Sequence, residues 1–174
     1  ESEVHVMVRG KAGAEVEFGN ALVLGEADDG IIVDWQLIRD RVPADSTQVV
    51  PSAERVRAIF GDAVRGVVTD RGCASQSIAK KLESYRWKNG MCPKDPAVLA
   101  EQMKEEKFRG WQKRRGQTEG RISIFKREFL GRPMRSKGFA HRALQVSWGV
   151  LTHNLWWLAR RERLSEAQGQ ARAA

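Results

Sequence analysis

A mixed α/β fold is predicted, with antiparallel hairpin strands followed by a parallel strand and flanked by helices, and three observations predict it. Over the first 70 residues, apolar and β-branched side chains come in short runs punctuated by glycine, not at helical spacing. A helix-prone stretch then precedes another short β-branched run that ends in an acidic residue, the order expected of a mixed sheet with a helix packed on it. The last third carries apolar residues at alternating spacings of four and three, which is the period of a helix face.

Taken in order, residues 4–8 alternate, with His5 and Met7 opposite Val4, Val6 and Val8. Residues 16–24 and 31–38 form two further strands joined by Asp28-Asp29-Gly30, an Asp-Gly hairpin signal between apolar runs. Pro51 suits the first turn of a helix running through Glu54, Val56, Ile59 and Phe60 to a stop at Gly61, unless that helix starts earlier, near Asp45. Residues 64–69 are a strand ending in Asp70-Arg71-Gly72. Helices follow at 74–85 and 97–107, separated by a loop at 90–96 that holds two prolines. A further helix is expected over 111–130, although Gly110, Gly116 and Gly120 weaken it. In the final helix Leu144, Trp148, Leu151, Leu155 and Leu158 make an apolar stripe that should dock on the sheet. Beyond Arg163 the chain turns small and polar, so residues 1–163 are read as one domain and 164–174 as a flexible tail.

The 174 residues suffice for one core, and 41% hydrophobic with 30% charged residues excludes a disordered or collagen-like chain. No apolar run approaches the roughly 18 to 20 residues of a membrane span, so no membrane partner is expected. Cys73 and Cys92 have no second pair and no histidine at zinc-site spacing, which fits a reduced, cytoplasmic compartment. No secretory signal opens the chain, and a start at Glu1 without Met suggests a fragment. The net charge of +8 is unevenly distributed: residues 1–100 carry 13 basic and 15 acidic side chains, residues 101–174 carry 17 and 7. Between Lys107 and Arg142, 12 basic residues meet only Glu119 and Glu128. Such density suits a polyanion, whose counterions are released on binding, and equally suits a solvated helix face.

Two acids stand where chemistry is possible. Asp70, at the carboxyl end of a predicted strand, would project into the crevice where sheets of this kind bind ligands, or would simply form the turn. On a straight helix, Arg115, Glu119 and Lys126 fall within about 40 degrees of one another, beside an apolar stripe of Ile122, Phe125 and Phe129. On that helix Glu119 and Arg115 equally suit an ordinary ion pair.

The run Arg115-x3-Glu119-x6-Lys126 resembles the third-acid signature of bacterial insertion-sequence DDE transposases, Tyr-x2-Arg-x3-Glu-x6-Lys, with Gln112 in place of the Tyr. Further phrases resemble the same class in the same order. They are Val8-Arg9-Gly10-Lys11-Ala12-Gly13 with Val16-Glu17-Phe18-Gly19, then Val68-Thr69-Asp70-Arg71-Gly72, Gln117-Thr118-Glu119-Gly120-Arg121-Ile122 and His153-Asn154-Leu155-Trp156. The resemblance runs from about residue 4 to 160 and implies an RNase H-like fold, incomplete at the N-terminus.

In that family three carboxylates hold two Mg2+ or Mn2+ ions, which activate a water or 3′-hydroxyl and stabilise the leaving oxygen at a phosphodiester. The resemblance makes Asp70 the second acid and Glu119 the third, both catalytic and both metal ligands. Arg115 and Lys126 would then touch phosphate, and Lys113, Arg114, Arg121 and Arg127 would extend the contact with double-stranded DNA. The first Asp is missing from the early strand, where the nearest acids are Glu1 and Glu3. Asp34 lies inside a later strand, Asp28 and Asp29 are turn residues, and Asp45 is read as a helix cap or turn residue in preference to a metal ligand. The first Asp is therefore expected upstream of Glu1, in which case this piece alone is inactive. His141 and His153 are given no catalytic role, and His153-Asn154 is placed at a helix–sheet junction. The implied activity is strand cleavage and transfer at transposon ends, by a dimer on paired ends in the cytoplasm, at the nucleoid. The alternatives are a DNA-binding remnant without catalysis and an RNase H-like nuclease acting on other substrates.

Overall fold

A computed structural model describes residues 3–11, 14–41, 43–131 and 133–173. It is a mixed α/β structure in two compact units, one made of Glu1–Asp40 with Ile122–Ala174 and the other of Arg41–Arg121.

The first unit opens with two antiparallel hairpins, β1 (His5–Lys11) with β2 (Ala14–Gly19), and β3 (Leu22–Glu26) with β4 (Ile32–Leu37). The single strand expected over 16–24 is thus two. It breaks at Asn20, a residue suited to turns, whose side-chain amide donates to the carbonyls of Glu3 (2.8 Å) and Ile38 (2.9 Å). The β3–β4 turn is the predicted one. Gly30 adopts φ +99°, and the Asp29 carboxylate accepts the Ile31 N–H at 3.2 Å.

That turn is clasped by α6 (Phe139–Ala173), whose Trp157 indole donates to the Asp29 carbonyl and whose Arg161 pairs with the Asp29 carboxylate at 2.6 Å. A Cβ at Gly30 would stand 2.7 Å from the Trp157 ring. Gly30→Ala therefore combines a strained positive φ with a displaced indole, and should cost about 2 kcal/mol in a urea melt. An unchanged midpoint would show that the turn is not held this way.

The core of this unit is Ile32, Phe125, Leu130, Val146 and Val150. Its composition corrects the expectation for α6. Leu144, Trp148, Leu151, Leu155 and Leu158 do not dock; each is 47–60% exposed. The buried face instead carries Arg142, Val146, Gly149 and Val150. Gly149 is the reason: a Cβ there would lie 2.6 Å from Leu130, so its absence lets α6 close on the segment 125–130. Close packing and the polar reach of Asn154 and Trp157 outweigh the greater bulk of the leucine stripe.

In the second unit, α1 (Asp45–Phe60) leads through β5 (Gly66–Val67), α2 (Gln76–Ser84), β6 (Lys88–Asn89) and α3 (Pro96–Gln102) to α4 (Glu106–Gly116). α1 takes the earlier of the two anticipated starts, which puts Pro51 inside it. The core is Val49, Ala53, Cys73, Ile78, Leu82, Trp87 and Met91. Tyr85 ties α2 to α1 by donating to the Glu54 carboxylate at 2.6 Å, and that bond, with Lys81, holds the Glu54 carboxyl below its ordinary range.

β5 and β6 pair in parallel, Gly66 opposite Lys88 and Val67 opposite Asn89. Backbone bonding continues past the ladder, from Gly90 to Val67 (2.8 Å) and Cys92 to Thr69 (3.5 Å). The expected parallel strand is present but short. Among the described residues the strands form three separate two-stranded sheets, not one mixed sheet. No helix among them is long and apolar enough to cross a membrane.

Candidate functional site

Asp70 follows β5 in extended backbone and is solvent-exposed. Its Oδ1 accepts the Cys73 N–H at 3.3 Å, capping a single 3-10 turn at Arg71–Cys73. The turn-forming role weighed from sequence is therefore real. It does not exhaust the group, because a carboxylate offers about four lone-pair sites and one N–H uses only one. Arg71 secures the loop by donating from Nε to the Pro93 carbonyl at 3.2 Å.

Beneath the turn, burial foremost, then the Asp70 charge and hydrogen bond, push the Cys73 thiol up to about 11. At pH 8 only about one thiol in a thousand would be thiolate, so Cys73 should alkylate far more slowly in the native chain than in denaturant. The linkage has a definite sign. Between about pH 9 and pH 11 the unfolded chain has lost this proton while the folded chain keeps it, so stability should fall as pH rises through that window. Equal alkylation rates in native and denatured protein would refute the burial.

α4, the helix that carries Arg115 and precedes Glu119, is fastened beside this strand. Trp111 packs on Gly90, where a Cβ would lie 3.0 Å from its ring and 2.7 Å from Val68 Cγ2. Gln112 donates to the Gly90 carbonyl at 2.9 Å and accepts from Arg115 Nε at 3.2 Å. A chain of bonds thus runs from Arg115 through Gln112 to the backbone next to Val67, three residues before Asp70. The partner of Arg115 lies one turn back, at Gln112, and not forward at Glu119. Gln112 and Gly90 were not singled out from the sequence; the one signal was that Gln112 departs from the family's Tyr.

The expected single helix over 111–130 is interrupted. α4 ends at Gly116, where the Gln117 N–H returns to Arg114 across three residues (3.1 Å). α5 (Thr118–Ile124) follows, then a π turn over Phe125–Phe129. The tight turn and the wide one each change the angular phase, so a common stripe for Arg115, Glu119 and Lys126 no longer follows from spacing. Glu119 is exposed in the first turn of α5. Lys113, Arg114, Arg115 and Arg121 belong to the second unit with Asp70 and Glu119, whereas Lys126 and Arg127 belong to the first. Arg127 pairs with Glu128 at 2.7 Å, and Lys126 is exposed.

Other acids have structural partners. Glu3 accepts the Phe139 N–H at 2.8 Å, at the start of α6, and pairs with Arg39 at 3.0 Å. Asp45 is the first residue of α1, where its charge favours the helix dipole. Asp34 is buried in β4. Among the described residues no group of three or more His, Cys, Asp or Glu side chains is placed to hold a metal ion. As hard oxygen donors Asp70 and Glu119 suit Mg2+, which keeps several of its waters and needs few protein ligands.

Asn154 Oδ1 accepts the Ile32 N–H (3.0 Å) and its Nδ2 donates to the Ile32 carbonyl (2.9 Å), so the His153-Asn154 pair does stand at a helix–sheet junction. His153 is edge-on to Phe125 and Phe129. Compared with protein-family models, curated proteins and solved structures, the chain matches none.

Proposed function

We propose that this chain acts in DNA transposition, as a metal-dependent enzyme of the insertion-sequence DDE transposase kind with an RNase H-like catalytic fold. The observation that carries the reading is the anchoring of Arg115 through Gln112 to Gly90, beside the strand that leads to Asp70. It supports the reading by fixing Arg115, the first residue of the Arg-x3-Glu motif, next to the strand that leads to Asp70. Asp70 and Glu119 supply carboxylate oxygens to divalent ions, Mg2+ or Mn2+, which when bound activate the attacking oxygen and stabilise the leaving one. Arg115 and Lys126, with Lys113, Arg114, Arg121 and Arg127, bear on the phosphates of double-stranded DNA, and the working assembly is a dimer on paired ends in the cytoplasm.

A second reading, a DNA-binding module without catalysis, is favoured by one observation: Asp70 already has a structural task in capping Cys73. Cleavage of terminal-repeat DNA by a full-length protein that includes the expected upstream Asp separates them. Asp70→Asn and Glu119→Gln should each lose cleavage and keep DNA binding. Unchanged cleavage in both would sink the enzymatic reading.

A further inference from the structure

Around α6 the apolar side chains fall on two sides. Val146, Gly149 and Val150 close on the core of the first unit. On the opposite side Leu144, Trp148, Leu151, Leu155 and Leu158 lie within about 80 degrees of one another and face water. Trp148 is 60% exposed, Leu155 59% and the other three 47–54%. Together they present roughly 500 Å2 of apolar surface in one line, a patch of the size that marks a contact surface in folded proteins.

Three properties of the stripe say what covers it. Its spacings of four and three repeat over two heptads, so it runs along the helix axis as a seam for a second helix laid alongside. From Ala143 to Ala159 the chain has no Asp, Glu, Lys or Arg, although residues 101–174 as a whole carry 17 basic and 7 acidic side chains. A strongly charged partner of either sign finds nothing here to attract it. A second copy, repelled elsewhere by its net charge of +8, can approach at this stretch without bringing like charges together. The third property is area. Two such patches face to face bury about 1,000 Å2, which reaches the lower limit for specific association between proteins. A two-fold axis lets the same stripe serve as both halves of the contact.

We infer that the leucine and tryptophan stripe of α6 is the docking surface for α6 of a second copy of this chain, giving a symmetric dimer. The inference supplies a face for the dimer of the proposed function. It rests on this surface alone, so it survives the loss of either DNA binding or cleavage.

Sedimentation equilibrium of the chain without DNA, from about 1 to 200 μM, tests it. A contact of this size implies a dissociation constant on the order of 10 μM, so the average mass should climb with concentration from 19.6 kDa toward twice that value. Leu151→Glu, in the middle of the stripe, should hold the mass at one chain throughout. Leu151→Ala with Leu155→Ala should weaken association at least tenfold. Ile59→Glu places the same charge at a still more exposed apolar position in the second unit, and it should leave association unchanged. Because dimerisation stabilises only the folded chain, the melting temperature of the unaltered protein should rise by a few degrees between 1 and 200 μM, and that of Leu151→Glu should not. A melt at 1 μM, where the stripe faces water, also shows whether the glutamate variant folds; if it does not, the double alanine variant decides. An unaltered chain that stays monomeric at 200 μM overturns the inference and gives the stripe to a different segment or protein. A dimer that persists undiminished in the folded variants overturns it too, by placing the contact elsewhere. Either result leaves the DNA reading untouched.

Discussion

Asparagine at position 70 should stop strand cleavage and leave the fold standing. The cap that Asp70 forms and the metal-holding role proposed for it are chemically separable. Capping needs one oxygen that accepts the Cys73 N–H, and the Asn side-chain carbonyl provides it as well as the carboxylate does. Holding a divalent ion needs anionic charge, and the neutral amide removes it. Loss of several kcal/mol of transition-state stabilisation corresponds to a fall of about a thousandfold or more in the single-turnover rate. Asp70→Ala should lose cleavage and also about 1 kcal/mol of stability, because the 3-10 turn at Arg71–Cys73 then has no cap. Glu119→Gln is the cleaner companion, since Glu119 is exposed in the first turn of α5 and Gln keeps its shape. It should fall as far in rate with no change in melting temperature. If Asp70 served only the turn, Asn would be neutral in both rate and stability while Ala lost stability alone.

The parts of this fold that were legible in the sequence are those set by neighbours along the chain. Asp28-Asp29-Gly30 announces its turn because only glycine is at ease at φ +99° and an Asp side chain readily takes up the N–H two residues on. The strand before Asp70 is likewise local, a β-branched run ended by turn residues. β6 was invisible, because its two residues, Lys88 and Asn89, carry no strand pattern and pair only because Gly66 opposite lets the backbones approach; a Cβ at Gly66 would stand 2.7 Å from the Lys88 carbonyl. The face of α6 was misread for a similar reason. Periodicity reports that a helix has an apolar stripe, but which face is buried depends on where partners fit, and Gly149 and Asn154 fit where the leucines do not. At the candidate site, spacing located Arg115 and Glu119 but carried the assumption of a uniform helix, which the turns at Gln117 and Phe125–Phe129 remove. Gln112 had no signal except its departure from a motif.

The mutation expected to cost most in stability falls on a polar residue of α6, not on its leucines. Ile32 is 8% exposed at the start of β4, and Asn154 satisfies both of its backbone groups. Asn154→Leu keeps the volume and adds apolar surface, yet leaves a part-buried N–H and a part-buried carbonyl unpartnered. At about 1–3 kcal/mol for each group, the variant should lose roughly 2–5 kcal/mol, or on the order of 10 °C in melting temperature. Asn154→Asp should fall between, keeping the acceptor for the Ile32 N–H while losing the donor for its carbonyl. Leu151→Ala and Leu155→Ala, on the exposed stripe, should each cost less than about 1 kcal/mol, because a side chain half in water has little transfer energy left to lose and leaves no cavity. Thermal unfolding of the four variants orders them. Were the leucine variants the damaging ones and Asn154→Leu neutral, the stripe would be the packed face and α6 would be turned about its axis. The expected order follows from a general asymmetry: missing apolar contacts at a wet surface cost little, and hydrogen bonds lost away from water cost much of the desolvation of the groups left unpaired.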